Sequence, residues 1–113
     1  MYMRVVVMAW LALLSAGLLE IVWAFFMKRS AGFTLPLPTA ITIAAMVASF
    51  ALLGIAMRVL PLGTAYAIWT GIGALGAFVL GIAVLGEAVT PLRLAAAGLI
   101  LSGIVLMKLS AAH

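Results

Sequence analysis

From Val59 to Gly86 the chain runs for 28 residues without a charged side chain, and Leu35 to Met57 is a second uncharged run of 23. A third stretch, Val5 to Met27, is 23 residues long and carries one charge, Glu20. About 20 mainly apolar residues in a helix cross a hydrocarbon core of about 30 Å, so each of these runs can span a membrane. Leu94 to Met107 is only 14 residues, or about 21 Å as a helix. It reaches across if Arg93 and Lys108 snorkel at the ends of a span from Pro91 to Ser110. The composition, 69% apolar and 7% charged, excludes a soluble domain, which averages about 45–50% and about 25%. It excludes disorder equally. The expectation is an all-α integral membrane protein with four short transmembrane helices. It forms a single domain over residues 1–113, with spans at about 5–27, 35–57, 61–86 and 91–110.

Proline placement supports these limits. Pro36, Pro38, Pro61 and Pro91 all stand at the start of a span, where a missing N–H costs nothing. Thr90 is suited to cap the last helix, and Gly32 follows Lys28 and Arg29 as a helix C-terminal signal. The short connections make neighbouring helices antiparallel. The segment before Gly17 imitates a basic n-region, an apolar core and a small-residue cleavage site. The apolar run, however, continues to Met27 and ends in Lys28-Arg29, a stop-transfer pattern, so an uncleaved span is expected. Met8 is an alternative start. With no cysteine and one histidine, His113, the chain has no disulfide, iron–sulfur or His/Cys metal chemistry to offer, and no cofactor is expected.

The net charge of +4 does not point to nucleic acid, because the basic residues are scattered among the connections. Arg4, Arg58 and Lys108 fall on one side of the membrane, and Lys28, Arg29 and Arg93 on the other. Lys/Arg asymmetry orients membrane proteins, and here there is none. The expectation is dual topology, with copies inserting both ways and pairing antiparallel. Four short helices enclose little, so a homodimer is the minimal functional unit. In the last span Gly98 and Ser102 are four residues apart, with Ala95 three before Gly98, a small-residue face suited to helix contact between copies.

Glu20 carries the chemistry. An acid at the centre of a span costs about 2.5–3.5 kcal/mol on insertion scales. The penalty falls on the carboxylate and not on the neutral acid, so Glu20 is suited to exchange protons with the aqueous phases. The alternative is a structural acid, permanently protonated and hydrogen-bonded to another helix. No span holds an opposite charge to pair with it. A proton and an exogenous cation would therefore compete for one site, which is sufficient to couple their movements. Trp23 lies three residues from Glu20 on nearly the same face, and Tyr66 and Trp69 repeat that spacing in the third span. Aromatic faces attract cations, and the Tyr66 and Ser49 hydroxyls could orient a carboxylate or a ligand. Trp and Tyr also gather at membrane interfaces. Trp10 is read as such a residue, whereas Trp23 fits either place.

Gly71 to Gly76 matches G-x-G-x-x-G, but no βαβ unit surrounds it and no acid lies about 20 residues on, so a dinucleotide site is rejected. Gly73 and Gly76 are read instead as points where the third span bends or is closely approached. Glu87 is read as a solvated charge in the third connection.

The stretches Gly17 to Ala24, with Glu20 and Trp23, and Pro61 to Ala74, with Tyr66, Trp69 and Gly73, resemble the small multidrug resistance family. The likeness extends from Met8 to about Ser110. Thr64, the run Trp69 to Ala74, and Lys28 with Gly32-Phe33-Thr34 resemble its guanidinium-exporter branch. That resemblance implies an antiparallel dual-topology homodimer in the bacterial inner membrane, exchanging protons for a guanidinium-type cation. It implies Glu20 as the shared proton and substrate site, with Trp23, Ser49, Tyr66 and Trp69 lining the pocket. Two other readings stand beside it. One is an exporter of quaternary ammonium or lipophilic cations, and the other is a non-transporting membrane subunit. An enzyme is not expected, since no nucleophile–base pair or metal cluster is visible.

Overall fold

The computed structural model describes residues 2–111; Met1 and His113 lie outside them. Four helices make up the described chain: α1 (Tyr2–Arg29), α2 (Pro36–Ala56), α3 (Leu62–Ala83) and α4 (Pro91–Ala111). All four are long and apolar enough to cross a membrane, as the charge-free runs predict. Their ends differ from the apolar runs by a few residues, for local reasons. α1 extends past its apolar run at both ends, taking in Arg4, Lys28 and Arg29, because charged side chains do not interrupt a helix that has reached the interface. α3 stops at Ala83, before the uncharged run is exhausted, and Gly86 turns the chain at φ +71°.

The connections are built from specific contacts. Lys28 and Arg29 occupy the last turn of α1, where cations complement the helix dipole. Beyond them Ser30 is fully buried. Its hydroxyl donates to the Met27 carbonyl at 2.7 Å and accepts the Phe33 N–H at 3.0 Å. That clamp holds Ala31, Gly32 and Phe33 at φ 52°, 73° and 67°. Only the glycine adopts this left-handed region without steric cost. Pro36 and Pro91 open α2 and α4 as their first residues, whereas Pro61 sits one position earlier, as the N-cap of α3. Thr90 caps α4, accepting the Arg93 N–H at 3.1 Å.

α1 packs against both α2 and α3, α4 packs against α3, and α2 and α3 touch only narrowly. The core lies where α1 meets α2 and α3, and much of it is alanine: Ala9, Ala16, Ala56 and Ala65 with Leu13, Leu53, Ile68 and Trp69. Small residues let helices approach closely where lipid removes the hydrophobic drive to associate. The molecule measures 45 × 35 × 17 Å. Since a helix with its side chains is about 10–12 Å across, the fold is a slab less than two helices thick.

Candidate functional site

α1 and α3 cross near Glu20. The Glu20 side chain lies directly over Gly73 of α3, so closely that a Cβ on that glycine would overlap its carboxyl group. Three residues along, Gly76 meets Ile21 in the same way. Gly71 faces the opposite direction, toward Ile104 of α4, where a Cβ would come within 2.7 Å. The glycine-rich segment is helical throughout, and its glycines admit neighbouring helices on two sides. Close approach accounts for Gly73 and Gly76 in this conformation.

Two buried polar atoms in this region have no hydrogen-bond partner among the described residues: Glu20 Oε1 and Trp23 Nε1. Buried polar groups are ordinarily paired, and leaving one unpaired costs about 1–3 kcal/mol. An acceptor and a donor are thus left open three residues apart on α1.

An aromatic row extends from this point across three helices. Trp23 meets Phe50 of α2 edge-on, with centroids 6.2 Å apart and an interplanar angle of 67°. Phe50 lies 5.7 Å from Trp69, and Trp69 lies 5.5 Å from Tyr66. Trp69 is buried, while Phe50 and Tyr66 are each about half exposed, at 49% and 50%. The buried Trp69 therefore sits between two half-exposed rings. Trp23 belongs to the row through its contact with Phe50. Trp10 stands apart with Lys108, whose Nζ is 4.3 Å from its ring, consistent with an interface position.

Ser49 holds the row in place. Its hydroxyl donates to the Ala16 carbonyl at 2.7 Å and accepts the Trp69 Nε1–H at 3.0 Å. One fully buried side chain thus ties α2 to α1 and α3 and fixes the Trp69 indole. Its proton is committed to Ala16, so the hydroxyl has no free donor left. Phe50 is the residue that sequence reading missed. Its place next to Ser49, in mid-span and with aromatic partners in both neighbouring spans, was the available signal.

On α4, Gly98 and Ser102 lie on an exposed face, and the Ser102 hydroxyl donates back to the Gly98 carbonyl at 2.8 Å. Nothing approaches Gly98 within 4 Å. Glu87 is not simply a solvated charge. It pairs with Arg93 at 3.5 Å, its carboxylate rests against Gly81, and its N–H donates to the Gly81 carbonyl at 2.9 Å.

Comparison with known proteins adds a second line of observation. Residues 8–100 match the family described as Small Multidrug Resistance protein. The chain is 58% identical over 103 residues to a protein of Citrobacter freundii named Guanidinium exporter, covering 91% of this chain and 98% of that one. The Guanidinium exporter of Salmonella typhimurium strain LT2 is 59% identical over 104 residues, with 92% and 99% covered. That of Escherichia coli K12 is 54% identical over 103 residues, with 91% and 98% covered.

Proposed function

We propose that this chain, which belongs to the Small Multidrug Resistance family, exports guanidinium in exchange for protons bound at Glu20. It is a multi-pass protein of the bacterial inner membrane, and its family consists of transporters and not enzymes. The observation that carries the proposal is that the Glu20 carboxyl oxygen and the Trp23 N–H, one helical turn apart on α1, are both buried without a hydrogen-bond partner among the described residues, with Trp23 at the head of an aromatic row. Relatives named Guanidinium exporter at 54–59% identity support the choice of cation.

The chemistry follows from the geometry. Guanidinium is planar, keeps its charge at neutral pH and offers parallel N–H pairs that match a carboxylate. Binding to ionised Glu20 supplies the partner that its oxygen lacks. Trp23, Trp69 and Tyr66 present ring faces to the cation, with Ser49 holding Trp69 in register. Proton and cation occupy the same carboxylate in turn. A proton must leave before guanidinium binds, and reprotonation releases it, so each moves against the other.

A slab 17 Å thick needs a second copy to close a pathway. The exposed α4 face with Gly98 and Ser102 is suited to pack on its counterpart, and bending at Gly73 and Gly76 would let the pair open to either side. The equal division of Lys and Arg between the two faces supports antiparallel pairing. A tag at the C-terminus is expected to be reached by impermeant reagents from both faces of the membrane in comparable amounts. Labelling from one face alone would overturn dual topology.

The test of substrate class is proton flux in reconstituted vesicles. Guanidinium is expected to drive it, whereas fully methylated guanidinium, which has the charge but no N–H donors, is not. Equal flux with both cations would move the chain to export of lipophilic cations instead.

A further inference from the structure

At the end of the slab where α1 and α3 finish and α4 begins, a cavity of about 330 Å³ opens between them. Phe25, Ala77 and Phe78 contribute apolar walls, and Lys28, Arg93 and Glu87 also line it. Arg93 is held from two sides, by the Phe78 ring with its guanidinium carbon 5.6 Å from the centroid, and by Glu87 at 3.5 Å. Only one guanidinium nitrogen faces that carboxylate within salt-bridge distance, so the other N–H donors remain available. Lys28 is exposed and forms no ion pair among the described residues. Arg29 stacks on Phe25 at 5.1 Å, adding a third cation at this end against the single carboxylate of Glu87.

We infer that this cavity binds an anionic phospholipid, with the headgroup phosphate between Lys28 and Arg93 and an acyl chain against Phe25, Ala77 and Phe78. Three features select this ligand. The cations exclude the guanidinium-type cargo proposed for Glu20. The apolar walls would gain nothing from a free phosphate but are covered by a hydrocarbon chain. The cavity lies at the ends of spanning helices, at the level where headgroups meet acyl chains and where basic side chains near the surface favour anionic lipid. The Glu87–Arg93 pair and the Gly81 contact fix the far wall, so the site is part of the fold and not a loose surface patch.

The test compares binding of phosphatidylglycerol and phosphatidylcholine to the full chain, purified in neutral detergent, by native mass spectrometry. The wild type is expected to retain phosphatidylglycerol preferentially. Lys28→Gln is expected to weaken that binding about fivefold. Arg58→Gln, which removes the same charge at the opposite end, is expected to leave it unchanged. Ala77→Phe, which fills the cavity and leaves the charges, is expected to reduce binding as well. Helical circular dichroism and elution volume identify any variant that fails to fold, and the wild type with the remaining variants then decides. Equal retention of the two lipids by the wild type would overturn the inference. So would an equal loss in Lys28→Gln and Arg58→Gln, which would reduce the effect to net charge. Displacement of the lipid by millimolar inorganic phosphate would assign the site to free phosphate instead.

Discussion

Glu20→Gln is expected to abolish guanidinium-driven proton flux while leaving the folded, membrane-inserted protein intact. Glutamine keeps the length and shape of the side chain over Gly73, so packing between α1 and α3 has no reason to change. What it removes is the ionisable oxygen. A neutral amide cannot exchange a proton, and it presents one acceptor and one NH₂ group to a ligand whose own groups are all donors. Charge-assisted hydrogen bonds contribute about 1.5–3 kcal/mol each, so losing one and leaving the other neutral corresponds to roughly a hundredfold loss of affinity. Flux should fall to the level of empty vesicles. Guanidinium binding, followed by tryptophan fluorescence through Trp23 and Trp69, should lose its dependence on pH together with its strength. A mutant that still moved protons with guanidinium would remove Glu20 from the mechanism. A mutant that lost its fold would return the residue to the structural reading.

How far these conclusions could be read from sequence depends on what lipid does to the pattern. Long charge-free runs identify spans because their length is matched to the bilayer and not to any partner. The prolines at positions 36, 61 and 91 place the starts because a missing N–H is tolerated there. Glu20 stands out because charge is expensive in a span. Which face of each helix packs is a different question. All four helices are apolar around most of their circumference, so periodicity, the usual guide to the buried side, carries little contrast. Ser49 was visible as a mid-span hydroxyl, but not that it donates to Ala16 and accepts from Trp69. Nothing in the sequence separates Phe50 from a lipid-facing aromatic; its ring contacts on α1 and α3 do. Glu87 lies in a connection whose conformation depends on Gly81 and Arg93, so its ion pair could not be inferred from local sequence.

The same limit applies to Gly73, for which the structure separates two expectations that sequence reading treats alike. If glycine served only to let α3 bend, alanine at Gly73 or Gly76 would slow transport more than it weakened binding. In the structure the two positions face different partners. A Cβ at Gly76 meets the Ile21 side chain, whereas a Cβ at Gly73 meets the Glu20 carboxyl itself. Gly73→Ala is therefore expected to displace the carboxyl from its place over α3. The free protein relieves this overlap by swinging the end of the flexible Glu20 side chain aside. Returning it against the added Cβ for binding would cost about 1–3 kcal/mol of overpacking, or roughly 5- to 150-fold in guanidinium affinity. The helix does not suffer, since alanine favours it over glycine by about 0.8–1.0 kcal/mol. Thermal stability should hold while binding falls. Gly76→Ala should retain affinity and lose turnover, and Gly54→Ala, which nothing approaches within 4 Å, should change neither. Titration of the three variants with guanidinium, beside their flux in vesicles, distinguishes the roles. Wild-type affinity in Gly73→Ala would show that the displaced carboxyl binds equally well, leaving bending as the only reason for glycine at that position.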